Sequence, residues 1–176
     1  MPLTAQQLKQ IFPAATQGNI DRYLPHFNRF AGFYSVDLPL RLAAFLGQIG
    51  HESGQLRYNE EIACGAAYEG RKDLGNCHPG DGKRFKGRGL IQITGRHNYT
   101  ALSCDLGVDF VGDPSLLKEP EYAVRSAFWF WDRHRLNDLA DRGDYLAITK
   151  RINGGTNGWA DRLTIYNRAK KVLGHT

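Results

Sequence analysis

Leu38-Pro39-Leu40-Arg41-Leu42-Ala43-Ala44-Phe45-Leu46-Gly47-Gln48-Ile49-Gly50-His51-Glu52-Ser53-Gly54 is the stretch on which the fold turns. Leu38, Leu42, Phe45 and Ile49 recur at helical spacing, so the segment reads as an amphipathic helix with its stripe against a core. Asp37 is a candidate cap, and Pro39 fits the first turn, where a missing N–H costs nothing. Glu52 falls next on the same stripe. A carboxylate there is directed toward the core side, where desolvation disfavours its charged form. Gly54 supplies a stop. From there to Gly82 the sequence is polar and glycine-punctuated and reads as loops with at most small strands or a short helix. A second acid, Glu61, lies in that irregular stretch.

Working outward toward the N-terminus, Thr4 and Gln7 have the spacing of a capping box before Leu8, Ile11 and Phe12, a short helix ended by Pro13. A second helix follows Asn19, with Pro25 placed to kink or divide it. Toward the C-terminus, turn residues from Pro79 lead into the alternating Leu90-Ile91-Gln92-Ile93-Thr94, which reads as a small strand or hairpin with Gln92 and Thr94 on one side. Helices are expected from Asn98 to Leu106, after Asp113-Pro114, and from Asp144 to Ile152 up to Asn153-Gly154-Gly155. A last one runs from Asp161 to Leu173, with basic residues at its end that complement the helix dipole. Glu121 to His134, with Tyr122, Phe128, Trp129, Phe130 and Trp131, has the aromatic content of a central buried helix.

The chain has 176 residues, 41% hydrophobic and 23% charged. That length builds one domain with a real core and is short for two. Residues 1–176 are therefore expected to form a single catalytic domain, with no repeat or linker that marks a separate cell-wall-binding unit. A formal net charge of +5 favours polyanionic surroundings: nucleic acid, wall polymers or anionic membrane surfaces. Cys64, Cys77 and Cys104 lack zinc-type spacing and read as free thiols in a reducing cytoplasm, a bridge between Cys64 and Cys77 being the alternative. The N-terminus shows no apolar signal core, and no window has the length of a membrane span, so the chain reads as made in the cytosol without stable membrane insertion.

Several chemistries are disfavoured by pattern. His51-Glu52 begins like the zinc motif HExxH, but position 55 is Gln, so no metal is expected. Ser53 and His51 lack the nucleophile elbow of serine hydrolases. Gly87-Arg88-Gly89 lacks the spacing and ending of a phosphate loop. No recognised nucleic-acid motif appears. Glu52 and Glu61 suit glycoside hydrolysis, in which one neutral carboxyl protonates the leaving oxygen and one carboxylate activates water, but by spacing alone two glutamates nine apart read first as solvated surface charge. On chemistry alone Glu60 serves as well as Glu61.

Gly50-His51-Glu52-Ser53-Gly54, Glu61, Gly87-Arg88-Gly89-Leu90-Ile91-Gln92-Ile93-Thr94-Gly95 with Asn98-Tyr99, Ile152-Asn153-Gly154-Gly155 and Ala160-Asp161-Arg162 stand in this order along the chain. In that order they resemble the motifs of family-19 glycoside hydrolases, and the form here is similar to the bacteriophage endolysin branch. The resemblance implies a mainly α, lysozyme-like α+β domain of two helical lobes around a substrate cleft, with a small β-element. It implies Glu52 as general acid and Glu61, rather than Glu60, as general base. Thr94 would help hold the attacking water, and Gln92, Asn98, Asn153 and Arg162 would line the sugar cleft or support the acids.

Arg162 beside a carboxylate would keep a base ionised while the acid stays neutral. His51 would support the site without acting in the chemistry. The family inverts configuration, which needs about 6.5–9.5 Å between carboxyls for a water. Plant members carry a further acid after Asn-Gly-Gly, and Thr156-Asn157-Gly158 here has none, which alters the charge network expected around Arg162.

No cofactor is implied. The function implied is an endolysin, monomeric, cutting β-1,4 bonds of peptidoglycan glycan strands. It would be made in the host cytoplasm and act on the cell wall, in the periplasm, after release through a holin-type protein. A chitinase is the alternative within the class. A non-catalytic wall-binding protein or a nucleic-acid-binding protein is the alternative outside it.

Overall fold

A computed structural model describes residues 2–174. The helices are α1 (Ala5–Ile11), α2 (Gln17–Phe33), α3 (Pro39–Glu52), α4 (Asp81–Arg84), α5 (Arg96–Leu106), α6 (Pro120–Arg133), α7 (Leu136–Asp141), α8 (Tyr145–Asn153) and α9 (Trp159–Val172). The capping box forms as read: Gln7 N–H donates to Thr4 Oγ1 at 3.1 Å and Thr4 N–H to Gln7 Oε1 at 2.9 Å. Pro25 neither divides nor ends α2. Ile20, Tyr23, Phe27 and Phe30 are buried on both sides of it, and that packing outweighs the single backbone bond a proline removes. Asp37 does not cap α3. The cap position is Leu38, with Pro39 entering as the first helical residue and no side-chain bond.

α3 is the axis of the core. Phe45 stacks on Phe128 of α6 at 4.2 Å between ring centres, Phe27 of α2 meets both edge-on at 6.4 Å, and Trp131 meets Phe45 edge-on at 5.4 Å. Phe128, Trp129 and Trp131 of α6 are thus core, as the composition implies, while Tyr122 and Phe130 are partly buried at its margin. On its other side α3 lies along α9. A Cβ on Gly47 would sit 2.3 Å from the Tyr145 hydroxyl, and one on Gly50 would sit 2.5 Å from the Phe12 ring. Only glycine allows so close an approach, and Gly50 immediately precedes the His-Glu pair.

The expected small strand or hairpin at Leu90–Thr94 is a tight turn, closed by one antiparallel bridge between Arg88 and Ile93 and with no strand. Gly89 has φ +79° and Gln92 φ +59°, Gln92 N–H donates to Gly89 O, and Arg88 and Ile93 exchange backbone bonds of 3.1 and 2.8 Å. Leu90 and Ile91 are both buried. Burial of two consecutive residues cannot be met by a strand with one wet face, and a tight loop achieves it. The β-element is accordingly reduced, among the described residues, to the bridges Glu60–Arg88 and Arg88–Ile93. The three cysteines are free and exposed, with no bridge between Cys64 and Cys77. No helix among the described residues is long and apolar enough to cross a membrane.

Candidate active site

Glu52 is the last residue of α3, so its backbone is fixed by the helix while its side chain leaves the core at the surface. Its Oε1 accepts from Arg162 Nη2 at 2.6 Å. Arg162 belongs to the first turn of α9 and is 1% exposed, yet it is fully engaged. Nη1 donates to Gln48 Oε1 at 2.6 Å and Nε to Asn157 O at 3.1 Å. Gln48 in turn donates to Thr149 Oγ1 of α8 at 2.8 Å. One turn of α3 therefore carries a buried amide and a carboxylate that hold the same guanidinium. A buried charge is tolerated on such terms, paired and with its remaining donors satisfied.

The neighbouring residues repeat the pairing. His51 Nδ1 lies 2.7 Å from Asp161 Oδ2, and a Cβ on Gly158 would fall 2.2 Å from the His51 ring. The imidazole thus packs on the loop that enters α9 and lines the groove beside Glu52. Arg162 was expected to keep a base ionised, and it instead partners the acid candidate Glu52. The cause is the α3–α9 contact, which places the start of α9 against the end of α3 and away from the loop of Glu61.

Glu61 stands on the other wall. Its backbone N–H donates to Gly87 O at 2.9 Å and its carbonyl accepts from Lys86 Nζ at 3.0 Å. Its carboxylate accepts from the Tyr68 hydroxyl at 2.9 Å and from Gly87 N–H at 3.2 Å. Burial, and next the bond to Glu61, push the Tyr68 phenol above its ordinary range, so it remains a donor.

Glu60 is differently placed. It accepts from Arg88 Nε at 2.9 Å, with Lys86 and Lys118 ammonium groups at 3.6 and 3.8 Å. Burial pushes its carboxyl up, but Lys118, Lys86 and Arg88 outweigh that and hold it below the usual value. Glu60 is a structural anchor of the bridge to Arg88.

Between the walls runs a groove of about 470 Å³ lined by Glu52, Arg162 and Asn153 on one side and Tyr68, Gln92, Thr94 and Asn98 on the other. An adjoining opening of about 290 Å³ is shared by Glu52, Gln92 and Glu61. Thr94 Oγ1 donates to Gln92 O at 2.9 Å, and Asn98 Nδ2 to Thr94 O at 2.8 Å, so the turn holds its own polar residues in place. Asn153 Nδ2 donates to Asn157 O at 3.2 Å. Among the described residues no cluster of His, Cys, Asp and Glu has the makings of a metal site.

Residues 21–140 match the family model described as chitinase class I, glycoside hydrolase family 19. The chain belongs to that family. It is 39% identical over 145 residues to an endochitinase of Arabidopsis thaliana, covering 82% of this chain and 50% of that protein. It is 29% identical to a glycosyl hydrolase family 19 domain-containing protein of Haemophilus influenzae, covering 94% of each. The fold superimposes on chitinase C of Streptomyces griseus with a TM-score of 0.78 at 22% identity, over 98% of this chain and 93% of that one. The chain thus spans about half the length of the first of these relatives and nearly all of the other two.

The family motifs meet in space. Glu52, Thr94, Gln92, Asn98, Asn153 and Arg162 line one groove, His51 is at its edge, and Glu61 opens beside it. Sequence reasoning missed Tyr68 and Gln48. Tyr68 gives no periodic signal, because it sits in a three-residue 3-10 turn, Ala66–Tyr68. Gln48 did give one: an amide inside the apolar run Phe45-Leu46-Gly47-Gln48-Ile49 needs a buried partner.

Proposed function

We propose that the chain hydrolyses β-1,4 glycosidic bonds in a polymer of N-acetylated aminosugars with inversion of configuration, Glu52 acting as general acid and Glu61 as general base. The observation that carries this reading is that the two carboxylates share one opening that adjoins the groove, each already held by its own partners. Glu52 Oε1 is occupied by Arg162, which leaves Oε2 to carry the proton and give it to the leaving oxygen. The C1–O bond breaks as water attacks the opposite face of the sugar. That water donates one proton to Glu61 and its other O–H to Thr94 Oγ1, whose own hydrogen is committed to Gln92 O. Its lone pair is then free to point at C1. Gln92, Asn98, Asn153 and Asn157 give the walls neutral amides, which offer both donors and acceptors to hydroxyl and acetamido groups. His51 and Arg162 position the acid without touching the sugar.

For the natural substrate we favour peptidoglycan and the role of an endolysin, because a net charge of +5 draws the protein to the anionic bacterial wall. On this reading the protein is monomeric, synthesised in a host cytoplasm and released to the wall by a holin-type protein. Chitin is the second reading, supported by the endochitinase relative.

Digesting purified peptidoglycan and, separately, chitin oligomers with wild type, Glu52→Gln and Glu61→Gln tests both, with the new ends identified by mass spectrometry. Reducing N-acetylmuramic acid ends are the expected product. Reducing glucosamine ends would mark a glucosaminidase, an anhydro end a transglycosylase, and cleavage of chitin alone would overturn the endolysin role. Full activity in Glu52→Gln would sink the acid assignment.

A further inference from the structure

A second pocket, about 440 Å³ in volume, lies where the end of α2, the end of α5 and α6 meet, and it shares no lining residue with the groove. Phe33 stands at its edge with 74% of its surface exposed, edge-on to Tyr34 at 4.8 Å. Trp129 forms part of its wall. Its indole N–H donates to Asp105 Oδ2 at 2.7 Å, and Arg133 donates to the same oxygen at 3.0 Å, so Asp105 Oδ1 is not used by either. Asp132 brings a second exposed carboxylate. Arg125 lies over the Phe30 ring at 5.6 Å, and its Nε–H is the one buried side-chain group without a hydrogen-bond partner among the described residues.

These features select a class of ligand. Two carboxylates and two guanidiniums cancel, so the pocket favours neither a polyanion nor a polycation. An exposed ring beside carboxylate acceptors matches a pyranose, which has an apolar C–H face and a rim of hydroxyl donors; vicinal hydroxyls donate in pairs to a carboxylate. The Arg125 Nε–H would gain the acceptor it lacks, an acetamido carbonyl or ring hydroxyl, on a small rotation into the pocket. The volume lies within the ~300–1,000 Å³ of small-ligand sites.

We propose that this pocket is a second saccharide-binding site, which holds a neutral N-acetylated aminosugar strand outside the groove. It rests on the reading that such a polymer is the substrate, and it adds a contact that retains the protein on an insoluble polymer between cuts. Linking two sites on one strand raises retention through effective concentration without changing the chemistry at either.

The test uses the full chain. In Glu61→Gln, expected to bind with turnover slowed by about 10²–10⁴-fold, addition of the N-acetylglucosamine tetramer should shift the Trp129 indole and Arg125 Nε–H signals in proton–nitrogen NMR, with a saturation curve distinct from that of Thr94 and Asn98. Adding Phe33→Ala and Asp132→Asn should abolish those two shifts and weaken co-sedimentation with insoluble chitin and peptidoglycan about tenfold. Both side chains are exposed, and an unchanged melting temperature would confirm the fold.

With Glu61 intact, the same pair of substitutions should leave hydrolysis of the soluble tetramer unchanged. Silence at Trp129 with saturating tetramer, or equal retention by the variant, overturns the proposal. Shifts at Trp129 with a stem peptide and none with the sugar overturn it as well. Failure to hydrolyse any aminosugar polymer while Trp129 still responds would strike the catalytic reading alone.

Discussion

The two walls of the groove hold their acids by opposite means. Glu52 is carried on a helix jammed against α9 and is fixed by side chains: Arg162, then Gln48, then Thr149. Glu61 has no helix beneath it and is fixed largely through backbone: Gly87 N–H to its carboxylate, Gly87 O to its own N–H, with Tyr68 donating to the carboxylate and Lys86 Nζ to its carbonyl. The first wall has bulk behind it and tolerates little change of shape. The second is a lattice of hydrogen bonds across turns, open to solvent, and belongs to the class of segments that open locally at low cost. An inverting reaction needs the first to hold still and the second to admit a water.

The comparison is sharpened most by removing each acid in turn. Glu52→Gln and Glu61→Gln should each lower kcat by about 10²–10⁴-fold, measured by reducing-end release; in urea titration Glu61→Gln should change the unfolding free energy little, whereas Glu52→Gln, which leaves the buried Arg162 without its carboxylate, should lower it. Arg162→Ala should break the helical wall itself. It leaves Gln48 buried and Glu52 without its partner, a loss of about 3 kcal/mol seen in urea unfolding; Arg162→Lys should recover only part, since an ammonium cannot bond Glu52, Gln48 and Asn157 at once.

The loop wall has its own anchor in Asp81, nearly fully buried, which accepts from Arg96 Nη2 at 2.6 Å and Nε at 2.9 Å. The Arg96 bonds hold the Asp81 carboxyl down to about 2. Its folded value is therefore below the unfolded one. The stability it adds, about 2 kcal/mol, is fully present above the unfolded value near 3.8 and is lost as pH falls toward 2. Asp81→Asn should remove that amount at neutral pH and flatten the acid limb of a thermal-melt series between those values. Tyr68→Phe is the mildest probe. Loss of one hydrogen bond of about 1 kcal/mol should lower the melting temperature by only about 2–4 °C while reducing kcat several-fold at temperatures where the protein stays folded, which would locate the effect in the aim of Glu61.

The same contrast explains what could be read from the amino-acid sequence. The helical wall was legible because its determinants are periodic: the stripe Leu42, Phe45, Ile49, Glu52 and the Thr4–Gln7 box are each a spacing rule. The loop wall obeys no spacing rule. Glu69 bonds the N–H groups of Gly80 and Gly82, and Asp81 pairs with Arg96, contacts set by the path of the turns. Leu90–Thr94 misled for a related reason: alternation over five residues imitates a strand, while the left-handed conformations at Gly89 and Gln92 that fold it into a turn leave no mark in hydrophobicity. The assignment of Glu52 and Glu61 as the acid pair rests on the family motifs and not on a spacing rule. The direction of Arg162 was misread because a linear motif does not say which wall it joins.

Gly47 and Gly50 have a bearing on how this scaffold can be remodelled. With no space for even a methyl group on that face, α3 cannot shift along or rotate against its neighbours, and the acid at its tip serves as a fixed origin of coordinates. Residues inserted between Gly54 and Glu61, or exchanged between Ala63 and Cys77, would then lengthen or reshape the binding surface while Glu52, the proposed proton donor, stays where it was. A library for new sugar specificity is best drawn from those loops, with the two glycines left untouched.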